Sequence, residues 1–305
     1  MDFVTVCEVG PRDGLQMAAS IMPTDAKLRW ISAMAEAGLR EIEVGSFVPP
    51  KLIPQMADTQ EVVESARSIP GLVVSALVPN LKGAERAYRA GAHAILLPVS
   101  VSEGHSRANT NKGTFEQVEE LGRIVTWVRE QERPMRVEAG CATAFGCSID
   151  GVIPAGRVIE VAVALAATGV DHVVLADTVG YANPSQVRSL VKRVRAEIGD
   201  RLQKLHLHDT MGLGLANALA GLEEGIRSFD AALAGLGGCP FAPGASGNIV
   251  TEDLVYMLES MGFCTGVDLE RLMTARDMLR DGLEGEPLRG NVACAGIPNT
   301  YRAAA

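Results

Sequence analysis

Strand-like and helix-like runs alternate along the whole chain, with eight strand-like runs at intervals of about thirty residues. The predicted strands are Val4–Val9, Arg40–Gly45, Leu72–Val78, Ala92–Leu97, Met135–Gly140, His172–Asp177, Lys204–His208 and Phe229–Ala234. Eight strand–helix units in one unbroken chain predict an α/β fold of the (β/α)8 type, a TIM barrel. A doubly wound sheet is the alternative, but the Gly-x-Gly-x-x-Gly that would follow its first strand is absent.

No linker rich in proline, glycine or serine divides the 305 residues, so one catalytic barrel domain over residues 1–305 is expected. After Thr251 the pattern indicates an eighth helix and then a helical C-terminal extension, assigned to residues 265–305. The extension carries the apolar Leu269, Leu272 and Met273, which predicts that it packs against the barrel or a partner subunit. Thr114 and Gln117 have the spacing of a capping box at a helix start.

The composition argues against several classes of partner. A net charge of −9 does not suit nucleic acid, because binding phosphates requires a basic surface. No apolar run approaches the ~18 residues of a membrane span. The six cysteines are scattered, with no Cys-x-x-Cys pair, which favours reduced thiols over disulfides or a zinc cluster. Since Met1 also leads directly into a strand-like run, no signal or transit peptide is expected, and the predicted location is the cytoplasm.

Polar side chains follow or end several strands, where the loops of a TIM barrel form the active face. They are Arg12, Asp13 and Gln16 after the first strand, Glu43 near the end of the second with Ser46 in the loop after it, and Asp177 at the end of the sixth. The fifth strand also carries Arg136 and Glu138. An exposed ion pair in a turn is the alternative for Arg12 and Asp13. Glu43 precedes the loop after its strand, whereas Glu41 is expected to face the helices.

The seventh strand carries the clearest candidate for a metal site. Leu205 to Thr210 alternate apolar and polar residues, so His206 and His208 lie on one face of a strand. Two solvated histidines on an edge strand are the alternative. Of the other histidines, His93 and His172 begin strands, on the stability side of a barrel, and His105 is expected to be solvated.

A glycine-rich stretch follows the eighth strand, running from Gly235 to Pro240 and again from Gly244 to Asn248. So many glycines favour a mobile loop that closes over a substrate. Cys239, within this stretch, is a candidate thiol acid, and a buried structural cysteine is the alternative.

Together these motifs resemble the 3-hydroxy-3-methylglutaryl-CoA (HMG-CoA) lyase family, and the resemblance covers nearly the whole chain. The Gly235–Pro240 loop is its most specific part. The resemblance implies that a divalent cation, Mg²⁺ or Mn²⁺, is bound by Asp13, His206, His208 and Asn248. It implies catalytic roles for Arg12, Glu43, Asp177, His206 and Cys239. It implies substrate contacts from Arg12, Gln16, Ser46 and Arg136.

The implied reaction cleaves an HMG-CoA-like thioester to acetyl-CoA and a keto acid, which is acetoacetate for HMG-CoA itself. In this retro-Claisen step His206, with Asp13 nearby, is the favoured base, and Arg12 suits the stabilisation of an enolate. Cys239 would then protonate that enolate. The expected partners are an acyl-CoA substrate and further copies of the chain, in a homodimer or a higher homo-oligomer.

The chain departs from familiar lyases at positions that line or adjoin the expected pocket. Val44-Gly45 stands in place of two threonines, Glu138 in place of an aromatic residue, and Val174 and Ala176 in place of small polar or glycine residues. These changes leave the acyl group open. The alternatives are a lyase for a different 3-hydroxyacyl-CoA, a condensing acyltransferase of the isopropylmalate or homocitrate synthase type, a 4-hydroxy-2-oxo acid aldolase and a catalytically silent metal-binding barrel.

Overall fold

The computed structural model describes residues 2–238 and 247–303, which form a closed barrel of eight parallel strands. The strands are β1 (Thr5–Glu8), β2 (Glu41–Ser46), β3 (Val73–Leu77), β4 (Ala94–Ser100), β5 (Arg136–Ala142), β6 (His172–Asp177), β7 (Leu202–Leu207) and β8 (Ser228–Ala231). Each strand pairs with the next along the chain, and β8 pairs with β1. The predicted TIM barrel and its eight strands are therefore confirmed.

Helices surround the barrel and connect its strands. They are α1 (Thr24–Glu36), α2 (Thr59–Ala66), α3 (Leu81–Ala90), α4 (Glu103–Thr110), α5 (Thr114–Arg129), α6 (Ala155–Ala167), α7 (Pro184–Ile198), α8 (Gly214–Glu223), α9 (Thr251–Ser260), α10 (Leu269–Gly282) and α11 (Asn291–Ala295). The connection after β4 contains two helices, α4 and α5. Within residues 2–238 and 247–303, no helix has the length and apolar character needed to cross a membrane.

The start of α5 differs by one residue from the predicted capping box. Gly113 is the N-cap, and its amide donates to the carboxylate of Glu116 at 2.6 Å. The Thr114 hydroxyl instead donates to the carbonyl oxygen of Ser100 at 2.8 Å, at the end of β4. The side chain of Gln117 is buried. The side chains of Thr114 and Gln117 are therefore engaged in tertiary contacts, with β4 and with Ser106 on α4, and not in the cap.

The segment after α9 folds back on the barrel, as expected for the C-terminal extension. The amide of Asp268 donates to the carbonyl oxygen of Ala37, just after α1, at 2.7 Å. Leu269 and Leu272 are buried and Met273 is half-buried, so α10 presents its apolar side to the barrel helices.

The amino-terminal half of the barrel interior contains charged side chains from four strands. Glu41 accepts hydrogen bonds from Arg136 at 2.7 Å and from Lys204 at 2.9 Å. Glu138, the position expected near the pocket, contacts the same two cations. The expectation that Glu41 faces the helices is wrong, because residues two apart on a strand share a face and Glu43 already points inward.

Candidate active site

The chain leaves β1 through a single turn of π-helix, Gly10–Gly14, which carries two adjacent charged residues to the barrel mouth. The carbonyl oxygen of Val9 accepts from the amides of Arg12 at 3.1 Å and Asp13 at 2.7 Å. Turns of this kind occur frequently at functional sites. Arg12 is only 6% exposed, so this is not the solvated ion pair of the alternative interpretation.

Arg12 is held between two carboxylates. Its Nε donates to Oε2 of Glu43 at 2.5 Å, and its Nη1 donates to Oδ1 of Asp13. Burial would lower the pKa of Arg12, but Asp13 and Glu43 outweigh it and raise the pKa. Burial raises the pKa of Glu43 to about 7, against the opposing effect of the guanidinium. Arg12 is therefore a fixed, fully charged cation whose position Glu43 helps to define.

The buried carboxylate of Glu8 also holds the π-helical turn in place. Oε1 of Glu8 accepts from the amides of Gly10 at 2.8 Å and Leu233 at 3.0 Å, and Oε2 accepts from the hydroxyl of Thr251 at 2.7 Å. Glu8 is completely buried, and burial raises its pKa to about 7. The turn after β1 is thereby tied to the chain after β8.

Three side chains converge at the mouth in a geometry that suits a divalent cation. The two Nε2 atoms of His206 and His208 lie 3.1 Å apart, and Oδ2 of Asp13 lies 3.9 and 3.7 Å from them. Neighbouring ligands on an octahedral ion with bonds of ~2.1 Å are separated by roughly 3 Å. A mixed nitrogen and oxygen set of this kind fits Mg²⁺ or Mn²⁺. The imidazoles and the carboxylate are therefore close enough together that they could hold one ion.

Asn248 supplies a further oxygen beside this triad. Its Nδ2 donates to Oδ2 of Asp13 at 2.7 Å and to the carbonyl oxygen of Leu236 at 3.0 Å. Its Oδ1 is buried and has no hydrogen-bond partner among residues 2–238 and 247–303. An amide whose nitrogen is engaged and whose oxygen is free can serve as a ligand. The structure thus brings together all four residues that the sequence assigned to the cation.

Neighbouring charges shift the pKa values of Asp13 and His206 in opposite directions. Burial would raise the pKa of Asp13, but Arg12 and the two imidazoles outweigh it and lower the pKa below its ordinary range. Burial would lower the pKa of His206, whereas Asp230 and Asp13 raise it. Asp13 is therefore ionised across the physiological range, as a cation ligand must be.

Asp230 is a site residue that the sequence analysis missed. Its Oδ2 lies 3.2 Å from Nδ1 of His206, and its Oδ1 lies 3.3 Å from Nζ of Lys204. The available signal was an acid within the predicted strand Phe229–Ala234, since a carboxylate in a buried strand is costly unless it is paired.

The mouth encloses a cavity of about 170 Å³ with two unlike sides. One side is polar and is formed by Arg12, Asp13, His206, His208 and Asp230. The other side comes from β3 to β6 and is apolar, formed by Leu77, Leu96, Pro98, Ala142, Val174 and Ala176. Gly140, which has no side chain, belongs to this wall, and Gln16 lines the cavity from the turn after β1. The remaining lining residues are Met17, His105, Asn109, Thr178 and Gly238.

His105 also lines the cavity, so the expectation that it is solvated is wrong. It lies on α4, is 4% exposed, and its Nδ1 is 2.8 Å from the hydroxyl oxygen of Ser100. Burial lowers its pKa, which favours the neutral imidazole. The polar sequence around it gave no sign of this burial, because α4 is held against the barrel mouth by tertiary contacts.

The remaining predicted residues have other surroundings. The Asp177 carboxylate accepts from the amides of Tyr181 and Ala182, both at 3.0 Å, and so shapes the loop after β6. Ser46 is fully buried at the end of β2, outside the cavity lining. Arg136 lies with Glu41 in the amino-terminal half of the barrel and is not brought to the mouth. Cys239 lies outside the described residues.

The family model described as HMGL-like matches residues 3–279. This chain belongs to the HMGL-like family. The cytoplasmic 3-hydroxy-3-methylglutaryl-CoA lyase of Rattus norvegicus is 42% identical over 278 residues, covering 91% of this chain and 80% of the relative. The hydroxymethylglutaryl-CoA lyase of Bacillus subtilis is 40% identical over 285 residues, covering 93% and 94%. The HMGL-like chain is accordingly an enzyme of the lyase class.

Solved structures agree with this family membership. The Bacillus subtilis HMG-CoA lyase superimposes with a TM-score of 0.92 at 39% identity, covering 96% of this chain and 98% of the neighbour. An HMG-CoA lyase from Acinetobacter baumannii in complex with coenzyme A and 3-methylmalate gives 0.92 at 41% identity, covering 99% and 97%. The barrel described above is therefore the one found in this HMGL-like family.

Proposed function

We propose that this HMGL-like enzyme cleaves 3-hydroxy-3-methylglutaryl-CoA, or a close analogue, to acetyl-CoA and a keto acid with the help of a divalent cation. The observation that carries the proposal is the convergence of Asp13, His206 and His208 beside the buried cation Arg12. The lyases at about 40% identity and the coenzyme A complex of a neighbour support the acyl-CoA substrate. The cytoplasmic relatives support a cytoplasmic location, and we keep a homo-oligomer as the proposed assembly.

Asp13, His206, His208 and the free oxygen of Asn248 would hold Mg²⁺ or Mn²⁺. When bound there, a cation acts as a Lewis acid that lowers the pKa of the substrate hydroxyl. His206 and Asp13 are the groups placed to accept the hydroxyl proton.

Loss of that proton allows the bond between carbons two and three of the acyl group to break. The hydroxyl carbon becomes the ketone of the keto acid, and the bonding electron pair moves to carbon two, which gives the enolate of acetyl-CoA. Arg12 stabilises the negative charge on the enolate oxygen, because its own charge is fixed by Asp13 and Glu43. The Cys239 thiol donates the proton that converts the enolate to acetyl-CoA.

The two unlike sides of the cavity support a proposed place for each part of the substrate. The hydroxyl and other oxygens lie against the polar side, and the substituent on the hydroxyl carbon lies against the apolar wall of β3 to β6. The space beside Gly140 also favours a second candidate, a lyase for 3-hydroxyacyl-CoA thioesters with a substituent larger than methyl.

The test is an assay of the purified enzyme with a panel of 3-hydroxyacyl-CoA thioesters that differ only in the substituent on carbon three. Both products are identified by mass. We expect acetyl-CoA and the matching keto acid, loss of activity with a chelator, and recovery with Mg²⁺ or Mn²⁺. Consumption of acetyl-CoA with a 2-oxo acid, without cleavage of any thioester in the panel, would identify a condensing acyltransferase instead.

A further inference from the structure

The proposed function leaves unused a buried lysine beneath the cation ligands. Nζ of Lys204 lies 2.9 Å from Glu41, 3.3 Å from Glu138 and 3.3 Å from Oδ1 of Asp230. The Lys204 side chain is 6% exposed and that of Asp230 is 4% exposed. Charges removed from water to this degree are costly unless each is closely paired. Arg136 pairs with the same Glu41 and Glu138, so Lys204 is the cation that Asp230 depends on.

The two oxygens of Asp230 have different partners with different requirements. An ammonium only donates hydrogen bonds, so the atom that faces Lys204 must be an acceptor. The other oxygen, 3.2 Å from Nδ1 of His206, accepts a hydrogen bond only when the ring carries its proton on Nδ1. That tautomer leaves the lone pair of Nε2 free, and Nε2 is the atom that points to His208 and Asp13.

We propose that Lys204 and Asp230 are positioning residues that together fix the tautomer and ring orientation of His206, so that Nε2 is ready to bind a divalent cation. The charge of Lys204, 3.3 Å from Oδ1, orients that oxygen of Asp230, and the other oxygen accepts a hydrogen bond from the N–H at Nδ1 of His206. The inference rests on the cation-binding part of the proposed function and does not depend on the acyl group. It assigns a role to a lysine that has no contact with the cavity.

The substitution Asp230→Asn tests the proposal sharply because an amide has only one acceptor atom. Lys204 requires the amide oxygen, which turns the NH₂ group toward Nδ1 of His206. Nδ1 must then accept, the ring proton moves to Nε2, and that nitrogen can no longer bind a cation. We expect the affinity for Mn²⁺ to fall at least tenfold, the scale usual for groups that orient metal ligands.

Removing the lysine as well should reverse this effect. In the double variant with Asp230→Asn and Lys204→Met no ammonium faces the amide, so its oxygen can turn back to Nδ1 of His206. The double variant also loses one buried positive and one buried negative charge together. We expect its Mn²⁺ affinity to return to within about threefold of wild type. If Lys204 and Asp230 only stabilised the fold, the double variant would bind Mn²⁺ more weakly than both wild type and Asp230→Asn.

Mn²⁺ is titrated into metal-free protein without substrate. Electron paramagnetic resonance measures the concentration of the free ion, which gives the amount bound. Glu138→Gln is the matched control, because Glu138 contacts the same Lys204 but not His206, and it should bind Mn²⁺ as wild type does. An Asp230→Asn variant with wild-type affinity would overturn the proposal. So would a double variant that binds no better than Asp230→Asn, or a wild-type protein that binds no Mn²⁺.

A measurement on the unaltered protein guards against variants that do not fold. The ¹⁵N resonances of His206 in metal-free enzyme, at a pH where the ring is neutral, should show the proton on Nδ1, and a proton on Nε2 would overturn the proposal. An enzyme that passes these tests but cleaves no thioester would refute the proposed substrate and leave the roles of Lys204 and Asp230 intact.

Discussion

Replacing Arg12 by lysine preserves the charge and removes the geometry, which separates two roles for this residue. Nε and Nη1 of Arg12 are engaged by Glu43 and Asp13, and Nη2 has no carboxylate partner within residues 2–238 and 247–303. A guanidinium can therefore hold both acids and still donate to an enolate, whereas lysine has one nitrogen for all three. That nitrogen is drawn to the two buried carboxylates, so the enolate loses its donor.

The magnitude follows from the burial of the site. Hydrogen bonds to charged groups contribute about 1.5–3 kcal/mol, and Arg12, at 6% exposure, is largely shielded from water that could replace the lost donor. The upper part of this range, about 2.7 kcal/mol, corresponds to roughly a hundredfold in rate. We expect Arg12→Lys to lower kcat by about that factor with little change in KM, because the interaction strengthens only as the enolate forms.

The assay is steady-state cleavage at saturating Mn²⁺, together with a thermal melt of each variant. Arg276→Lys is the matched control, since Arg276 is also buried and also paired with a carboxylate, that of Glu252 on α9, but does not line the cavity. It should lower stability and leave kcat unchanged. A kcat for Arg12→Lys equal to wild type, with a raised KM, would make Arg12 a substrate anchor and refute the enolate role.

Three further outcomes are expected. Cys239→Ser should lower cleavage by roughly a hundredfold or more while Mn²⁺ binding is unchanged, and near-normal turnover would place the acid elsewhere. Gly140→Ala adds a methyl group at ordinary contact distances of 3.7 Å from Leu96 and Pro98, so the variant should fold normally. We expect it to raise KM more for thioesters with a large carbon-three substituent than for the methyl compound. Equal effects on KM across the panel would refute the proposed place of the substituent. Wild type should lose stability from pH 4.5 to about pH 7, since folding raises the pKa of Glu8 to about 7 and the unfolded chain releases that proton first. Glu8→Gln should reduce this loss in urea titrations, and an unchanged slope would contradict the shifted pKa.

The sequence predicted the barrel and the pair His206 and His208 because both depend on local pattern. Strands and helices in this chain have distinct periods, and parallel strands bring their carboxyl ends to one face. His206 and His208 needed only that rule and the alternation of their strand, whereas the full ligand set with Asp13 and Asn248 was implied by the resemblance to HMG-CoA lyases. Arg136 was expected at the substrate only through the resemblance, and as the first residue of β5 it lies at the opposite end of the barrel.

The buried charge cluster was beyond the reach of local pattern. Glu41, Glu138, Lys204 and Asp230 are separated by up to 189 positions, and the contacts of Lys204 with the three acids all join distant parts of the chain. Each alone resembles an ordinary charged residue at the edge of an apolar run. Only the closure of the barrel shows that they share one interior, and the same tertiary packing explains the missed burial of His105.

The proposed cation ligands lie on both sides of the place where the barrel closes, between β8 and β1. Asp13 follows the first strand, while His206, His208 and Asn248 belong to the last part of the fold, and β1 meets β8 directly. A growing chain consequently has no complete ligand set until nearly 250 residues have been made. Contacts between such distant segments form late in folding, because the entropy of closing the intervening loop must be overcome first. A cation bound here would join the first and last parts of the barrel and slow its unfolding. Removing the cation should therefore speed unfolding as well as stop turnover.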